Sequence, residues 1–459
     1  MSSAFFALSS VVPPNPTTVR GQSTKVSLSP SGDRIIYAAG RSVVVAPMPG
    51  SIIETAPSPA IVYSQHVQPV TVAKISPSGA YTASADQSGL VRFWDFLGGE
   101  QILGAEYRPF AGVIRNLAWD AESKRVAVVG EGKERFGHFF FLETGSSCGE
   151  VSGHAKVVNS VALKSTRPFR AVTASDDARL VFYTGVPFKY ASMVMSHSRF
   201  VQSVSYSSDG LHFASVGSDS KLVIYDGATA EVKVSVDVAA GTLFGVEFTK
   251  DSKSVLTVGA DGLARLWSLD GKEAAQWDLK VGHADAGDQL VGITISRQFG
   301  IAVNLLGELL TFDLSQSGSV KGRHLNPTKG ITAAVRISST EILAASWDGN
   351  VYRYISAGPT AWSVKTVAGF KTGGPIVTGL TLGKDGNVFS VGYDDVVRRI
   401  KSARVNASFS AALPSTAKAI AASSSSGAFY AVTADAALAL EVGAASFQWQ
   451  SLRLQNWIV

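Results

Sequence analysis

At 459 residues the chain is too long for one ordinary globular core, which calls for two or more domains, a repeat array or a large barrel. Apolar residues make up 46% and charged residues only 17%, with 44 glycines; this excludes disorder as the dominant state and points to many short buried segments separated by turns. The net charge of +5 is spread thinly, its densest cluster being Arg398-Arg399-Ile400-Lys401, so no basic stripe argues for a nucleic-acid partner.

One cysteine, Cys148, rules out an intramolecular disulfide and a Cys-based zinc site, and the expected compartment is reducing and cytoplasmic. The opening MSSAFFALSSVVPP has a short apolar run without a preceding Lys or Arg, so no signal peptide is expected. No apolar run approaches the ~18 residues of a membrane span.

Read in chain order, one unit recurs. An apolar strand ends near Ser-Pro-Ser-Gly, a second alternating strand ends in Ser/Ala-x-Asp, and a third ends in an aromatic. The first copy is Val26–Leu28 with Ser29-Pro30-Ser31-Gly32, then Arg34–Ala39 and Ser42–Ala46. The second has His66, Val70–Ile75, Ser76-Pro77-Ser78-Gly79, Tyr81–Ala85, Asp86 and Val91–Asp95. Later copies run through Val113–Leu142, Gly153–Tyr183, His197–Asp226, Leu243–Trp267 and Leu290–Asp313, which makes seven. Asp177, Asp219 and Asp261 recur at intervals of 42 residues, within the span of a four-stranded propeller blade.

Gly153-His154 opens a unit and Trp94-Asp95 closes one, a weakened WD-repeat signature. The fold class is therefore all-β, a WD40 β-propeller: one complete seven-bladed ring over residues 21–315, followed by a partial second propeller. Such short sheets bury both faces only by stacking on their neighbours. Ser315–Gly322 reads as a linker; three further units, Gly330–Tyr354, Ile376–Ile400 and Ala417–Leu440, place the partial propeller at 316–445. Residues 446–459 fit no blade pattern and read as a divergent tail, and residues 1–20 form a separate N-terminal segment.

The inventory for catalysis is thin. Of seven histidines, four sit at blade openings and none forms a HExxH-type pair, so no metal site is expected. His154, Asp177, His197, Asp219 and Asp261 are read as structural repeat residues, each aspartate holding its turn and bonding towards the histidine of its blade. Trp94 and Trp267 are the matching aromatics. An enzyme would need a polar pocket in the central channel with perturbed ionisable groups, and no spacing predicts one. No cofactor and no small-molecule substrate are expected.

Gly130–Gly137, GEGKERFG, looks like a phosphate loop but lacks the GxxxxGK[ST] spacing, and its acids would oppose an anion. Two readings stand: a long hairpin within blade three, or a charged loop suited to protein contact. In Val172–Tyr190, Asp177 lies six residues before Tyr183, as Asp219 does before Tyr225 and Asp261 before Trp267. Asp177 is thereby the structural acid, and Asp176 is expected to project into solvent. Phe188, Lys189 and Tyr190 put two aromatics and a cation where a bland blade connection would be polar.

Pro109–Gly112, Asp120–Gly137, Ser165–Arg170, Ser175–Asp177, Gly185–Tyr190 and His197–Val201 together resemble the actin-interacting protein 1 family, WD-repeat cofactors of cofilin. The resemblance is specific from about Val72 to Asp226 and looser to about residue 440. It implies two seven-bladed propellers that bind cofilin-decorated actin filaments, promote their disassembly and restrict regrowth at barbed ends. The family's actin contacts fall on Glu134, Asp176 and Tyr190, the last a Tyr where the family has Phe; Lys133, Arg135 and Phe188 flank them as further candidates. It also implies that a strand near Ala4–Val12 pairs into the second propeller.

The function expected on this basis is non-enzymatic: an actin-binding cytoskeletal regulator in the cytoplasm that cooperates with cofilin. The alternative is a general WD40 protein-interaction scaffold or adaptor. The second propeller, stopping at three blades, reads as that of a truncated or mis-spliced product.

Overall fold

The computed structural model describes residues 12–451 except 49–59, 97–99, 239–240, 283–284, 319, 357–361, 371–372, 402–403, 414, 423–428, 434–436 and 443–446. The expected N-terminal strand lies outside the described residues but for Val12. Among the described residues the repeat forms ten antiparallel sheets, each of four consecutive strands. Seven belong to a compact unit of Pro16–His324, and three to a second unit that includes Leu325–Val459.

The seven sheets are blades of a closed ring, because each junction between neighbours carries its own apolar core. Val72, Phe93, Ile114 and Phe140 join blades 2 and 3; Phe139, Val158, Tyr183 and Phe188 join blades 3 and 4. The closing junction packs Tyr37 and Val44 of blade 1 on Val291, Ile301 and Val303 of blade 7. Thr24 N–H donates to Val291 O at 2.7 Å, and Ser296 Oγ to Gly32 O at 2.8 Å, across the same seam. Among the described residues no strand is exchanged between the first and last blades. Coverage on both faces explains why second strands such as Arg170–Ser175 are buried at every position from Ala171 onward, the small polar Thr173 and Ser175 included.

Two local devices repeat. In Ser76-Pro77-Ser78-Gly79 the Gly79 N–H donates to Ser76 O at 2.9 Å with φ +74°, a left-handed turn that glycine adopts without penalty. Ser76 Oγ accepts from the Tyr81 N–H at 3.1 Å and secures the return strand. Second, the innermost strand bulges near its start, at Val70/Val72, Val158/Ser160, Val201/Ser203, Leu243/Gly245 and Leu290/Gly292. A bulge re-aims one side chain off the ladder; Asn159 and Gln202 are such residues.

Taken by itself, the second unit joins its three sheets through two cores, one around Leu343, Val377 and Val388 and one around Phe389, Ile420 and Phe429. Two boundaries differ from the sequence reading. Val320–His324, whose first three residues were expected in a linker, is the outer strand of blade 7: Thr311 pairs with Gly322, and Lys321 Nζ lies 2.5 Å from Asp313 Oδ2. Phe447–Ser451, expected in a tail outside the blades, pairs with Ala437–Val442 as the fourth strand of the last sheet. In both, strand pairing overrides a composition rich in Ser, Gly or Gln.

Candidate functional site

The candidate contact residues lie on blades 3 and 4. Blade 3 comprises Gly112–Trp119, Arg125–Gly132, Gly137–Phe141 and Ser147–Glu150; blade 4 comprises Val158–Leu163, Arg170–Ser175, Leu180–Thr184 and Lys189–Val194. The loop carrying Lys133, Glu134 and Arg135 joins the second and third strands of blade 3, and the turn carrying Asp176 and Asp177 makes the same connection in blade 4. Equivalent connections of antiparallel sheets in one ring open on the same face.

The hairpin is built around its glycines. A Cβ at Gly130 would lie 2.0 Å from Val113 O, and one at Gly132 only 1.7 Å from Arg135 O, so the tip closes this tightly only without side chains there. Lys133, Glu134 and Arg135 are exposed at the tip. Arg135 Nη1 pairs with Glu150 Oε1 at 2.9 Å, an exposed pair that anchors the loop to its own blade. GEGKERFG is thus both the long hairpin and the exposed charged loop.

The structural residues form ladders from histidine to aromatic. In blade 2, His66 Nδ1 lies 2.9 Å from Asp86 Oδ2 and Nε2 2.8 Å from Ser84 Oγ, to which Trp94 Nε1 donates at 3.2 Å. In blade 4, His154 bridges Asp177 (3.0 Å) and Thr173 (2.7 Å). In blade 5, His197 bridges Asp219 (3.0 Å) and Ser215 (2.7 Å), with Tyr225 OH 2.9 Å beyond. Burial alone would raise the Asp86, Asp177 and Asp219 carboxyls; the bonds they accept outweigh it and hold all three below the usual carboxylate range.

Asp261 departs from the expected histidine bond, since no histidine lies between Asp237 and Leu243 to open its blade. It pairs instead with Arg265 Nη2 at 2.5 Å and accepts the Leu263 N–H at 3.2 Å. Trp267 Nε1 still donates to Thr257 Oγ1 at 2.9 Å, so the turn is kept with an arginine in the place of the histidine.

Two contact candidates also differ from expectation. Asp176 is half-buried, and its Oδ1 accepts from Asn159 Nδ2 at 2.7 Å. Asn159 sits at the bulge of the inner strand, and Gln202, at the same place in blade 5, bonds Ser218 there. Asp176 therefore has a role within its blade besides its place at the rim. Phe188, expected at the contact surface, is 3% exposed. It stacks on Phe139 at 4.6 Å between centroids, and its N–H donates to Cys148 O at 2.7 Å. It fastens blade 4 to blade 3 from within.

Tyr190 stays outside, 48% exposed, with its ring against Gly153, where a Cβ would come within 3.0 Å of it. Gly153 precedes His154, so Tyr190 borders the ladder that ends in Asp177. Beside Asp176 opens a hollow of about 680 Å³ lined by Lys156, Asp176, Arg199 and Phe200. Phe200 is 47% exposed, and Lys156 Nζ lies 6.0 Å over its ring. Sequence reasoning gave Lys156, Arg199 and Phe200 no role of their own. The signal for the last two was an exposed-type Arg-Phe pair two residues after the histidine that opens a blade.

Among the described residues no group of three His, Cys, Asp or Glu could hold a metal ion, and no helix is long and apolar enough to cross a membrane. The central channel of the ring does gather ionisable groups, Lys25, Lys74 and Glu247, that no spacing announced.

Residues 57–95 and 189–226 match the family model described as WD domain, G-beta repeat. WD repeat-containing protein 1 of Xenopus tropicalis is 36% identical over 73% of this chain and 55% of its own length. Actin-interacting protein 1 of Drosophila melanogaster is 39% identical over 61% of this chain and 47% of its own length. Actin-interacting protein 1 of Caenorhabditis elegans is 32% identical over 85% and 63% respectively. The chain spans about half the length of the curated relatives it matches. With its ring of four-stranded blades and these repeats, the chain is a WD-repeat protein, similar over much of its length to proteins named actin-interacting protein 1 and WD repeat-containing protein 1.

Proposed function

We propose that this chain binds actin filaments through blades 3 and 4 and acts with cofilin to promote filament disassembly, as a cytoplasmic, non-enzymatic protein of the actin cytoskeleton. The observation that carries the reading is an exposed charged hairpin tip, Lys133-Glu134-Arg135, on the blade next to one with two exposed aromatics on or beside it, Phe200 beside Asp176 and Tyr190 against Gly153, in a chain whose relatives are named for interaction with actin. Aromatic and arginine side chains ringed by charge are the usual composition of a protein-contact patch. Binding promotes disassembly only if severed or strained filament ends are held more tightly than intact ones. The whole chain added at micromolar concentration to filaments with cofilin should move more actin into the supernatant on sedimentation than cofilin alone does. Glu134→Ala with Tyr190→Ala should abolish the difference while leaving the melting temperature in place. Supernatant actin equal with and without the wild-type chain refutes the proposal.

A scaffold reading has one observation of its own. In the second unit Trp347 and Tyr393, 48% and 45% exposed, occupy the turn position held by Asp176 in blade 4, and Lys418 Nζ lies 5.6 Å over the Tyr393 ring. Capture of a defined assembly that lacks actin and cofilin, lost in Trp347→Ala/Tyr393→Ala, would favour this reading.

A further inference from the structure

The inner strands of the seven blades surround a channel, and in six of them a polar or charged side chain faces the bore. Lys74 comes from blade 2, Asn116 from blade 3, Ser160 and Ser203 from blades 4 and 5, Glu247 from blade 6 and Thr294 from blade 7, around a cavity of about 440 Å³. Lys25, just ahead of blade 1, enters the same space. Its Nζ donates to Ser23 Oγ at 2.9 Å and reaches Gln202 O, on blade 5 across the bore, at 3.5 Å. Lys250 lines it from blade 6. The charged groups facing the cavity are thus three ammonium groups and one carboxylate. The next charged residue along the bore, Arg115, is committed to Glu131 at 3.0 Å.

These cations are poorly compensated. No ion pair within 4 Å joins Lys74 to Glu247 among the described residues, although the two attract each other. The surrounding blades strip water from Lys25, Lys74 and Glu247. That desolvation, with Lys74 repelling it, pushes Lys25 down to about 7; desolvation pushes Lys74 down to about 8 and Glu247 up to about 7. Hydroxyl and amide donors complete the wall: Asn116 Nδ2 donates to Ser160 Oγ at 3.0 Å, and Ser203 lies beside it in the lining. Convergent ammonium groups and hydroxyls in a partly dehydrated cavity of this size are what a small oxyanion requires.

We propose that the channel is a binding site for a tetrahedral dianion, a phosphate or the phosphoryl end of a small molecule, held by Lys25 and Lys74 with the Ser160 and Ser203 hydroxyls. The dianion supplies the countercharge that the bore lacks, and Glu247 limits how tightly it is held. Nothing in this reading depends on actin.

The probes are sulfate, which stays dianionic across the range tested, then inorganic phosphate and ADP, each titrated calorimetrically into the whole chain at low ionic strength. Sulfate should bind saturably, and more tightly at pH 6 than at pH 9, because lowering the pH charges both lysines and neutralises Glu247. Lys74→Met should weaken it roughly tenfold or more, the scale of one hydrogen bond to a charged group. At pH 8, Glu247→Gln should tighten it roughly threefold or more by removing the opposing charge, a gain that a misfolded variant does not mimic. Phosphate binding with no tighter binding of ADP assigns the site to a free oxyanion; tighter binding of ADP assigns it to a phosphoryl group. No saturable binding at millimolar sulfate or phosphate overturns the proposal. So does a Glu247→Gln variant that binds no better than the wild type.

Discussion

Two adjacent carboxylates in one turn do different work, and their partners say which. Asp177 accepts bonds from the His154 ring and from the N–H groups of Ala155 and Arg179, all at 3.0 Å. Asp177→Ala leaves those donors unpaired and should lower stability by about 2–3 kcal/mol, read as a fall in melting temperature. Asp176 accepts one bond, from Asn159. Asp176→Asn keeps an acceptor in place while removing the charge, so its melting temperature should stay near that of the wild type while filament disassembly with cofilin falls. Equal falls in melting temperature would erase the division between the two acids. Asp177 was legible because its distance to Tyr183 repeats in other blades. The Asn159 bond was not, because a bulge shifts the inner strand's register, and an alternating pattern carries no trace of which residue is re-aimed.

At the scale of the element, the join between blades 3 and 4 rests on a segment whose sequence looks like surface. Gly185–Tyr190 follows a strand, contains a proline and alternates aromatic with basic residues, so composition placed both aromatics outside. The chain separates them instead. Gly149 of blade 3 forms an isolated bridge with Phe188, which turns that ring onto Phe139 and leaves Tyr190 outside. Because the bridge links residues of different blades, no local pattern encodes it. Phe188→Ala should therefore behave as a core truncation, costing about 3–5 kcal/mol, whereas Tyr190→Ala should cost little stability. Thermal melts of the two variants decide: a Phe188→Ala protein as stable as Tyr190→Ala would mean that this ring does not fasten the blades. The hairpin 130–137 shows the opposite case, since the clustered glycines and charges that marked it as a tip mark it correctly.

For the whole molecule, the period of 42 residues made the blades legible, but closure is a property of packing that period alone does not give. Tyr37 and Val291 meet although most of the larger unit separates them in sequence. In a stack whose members contact only their neighbours, stability is a sum of blade and interface terms, and closing the ring adds one interface without adding a blade. Every blade of Pro16–His324 then has both faces covered. In the second unit, by contrast, two apolar cores serve three sheets among the described residues. A fragment of residues 16–324 should accordingly fold by itself and unfold in one cooperative thermal transition. The whole chain should melt in two, the lower arising from residues beyond 324. Ending the fragment at Leu279 removes blade 7 and with it two interfaces, exposing Tyr37 and Val44 on one side and Leu256 and Val258 on the other. That shorter fragment should lose the cooperative transition or aggregate through its uncovered blades. If it melts as cooperatively and at the same temperature as residues 16–324, closure contributes nothing, and the blades are stable as an open stack.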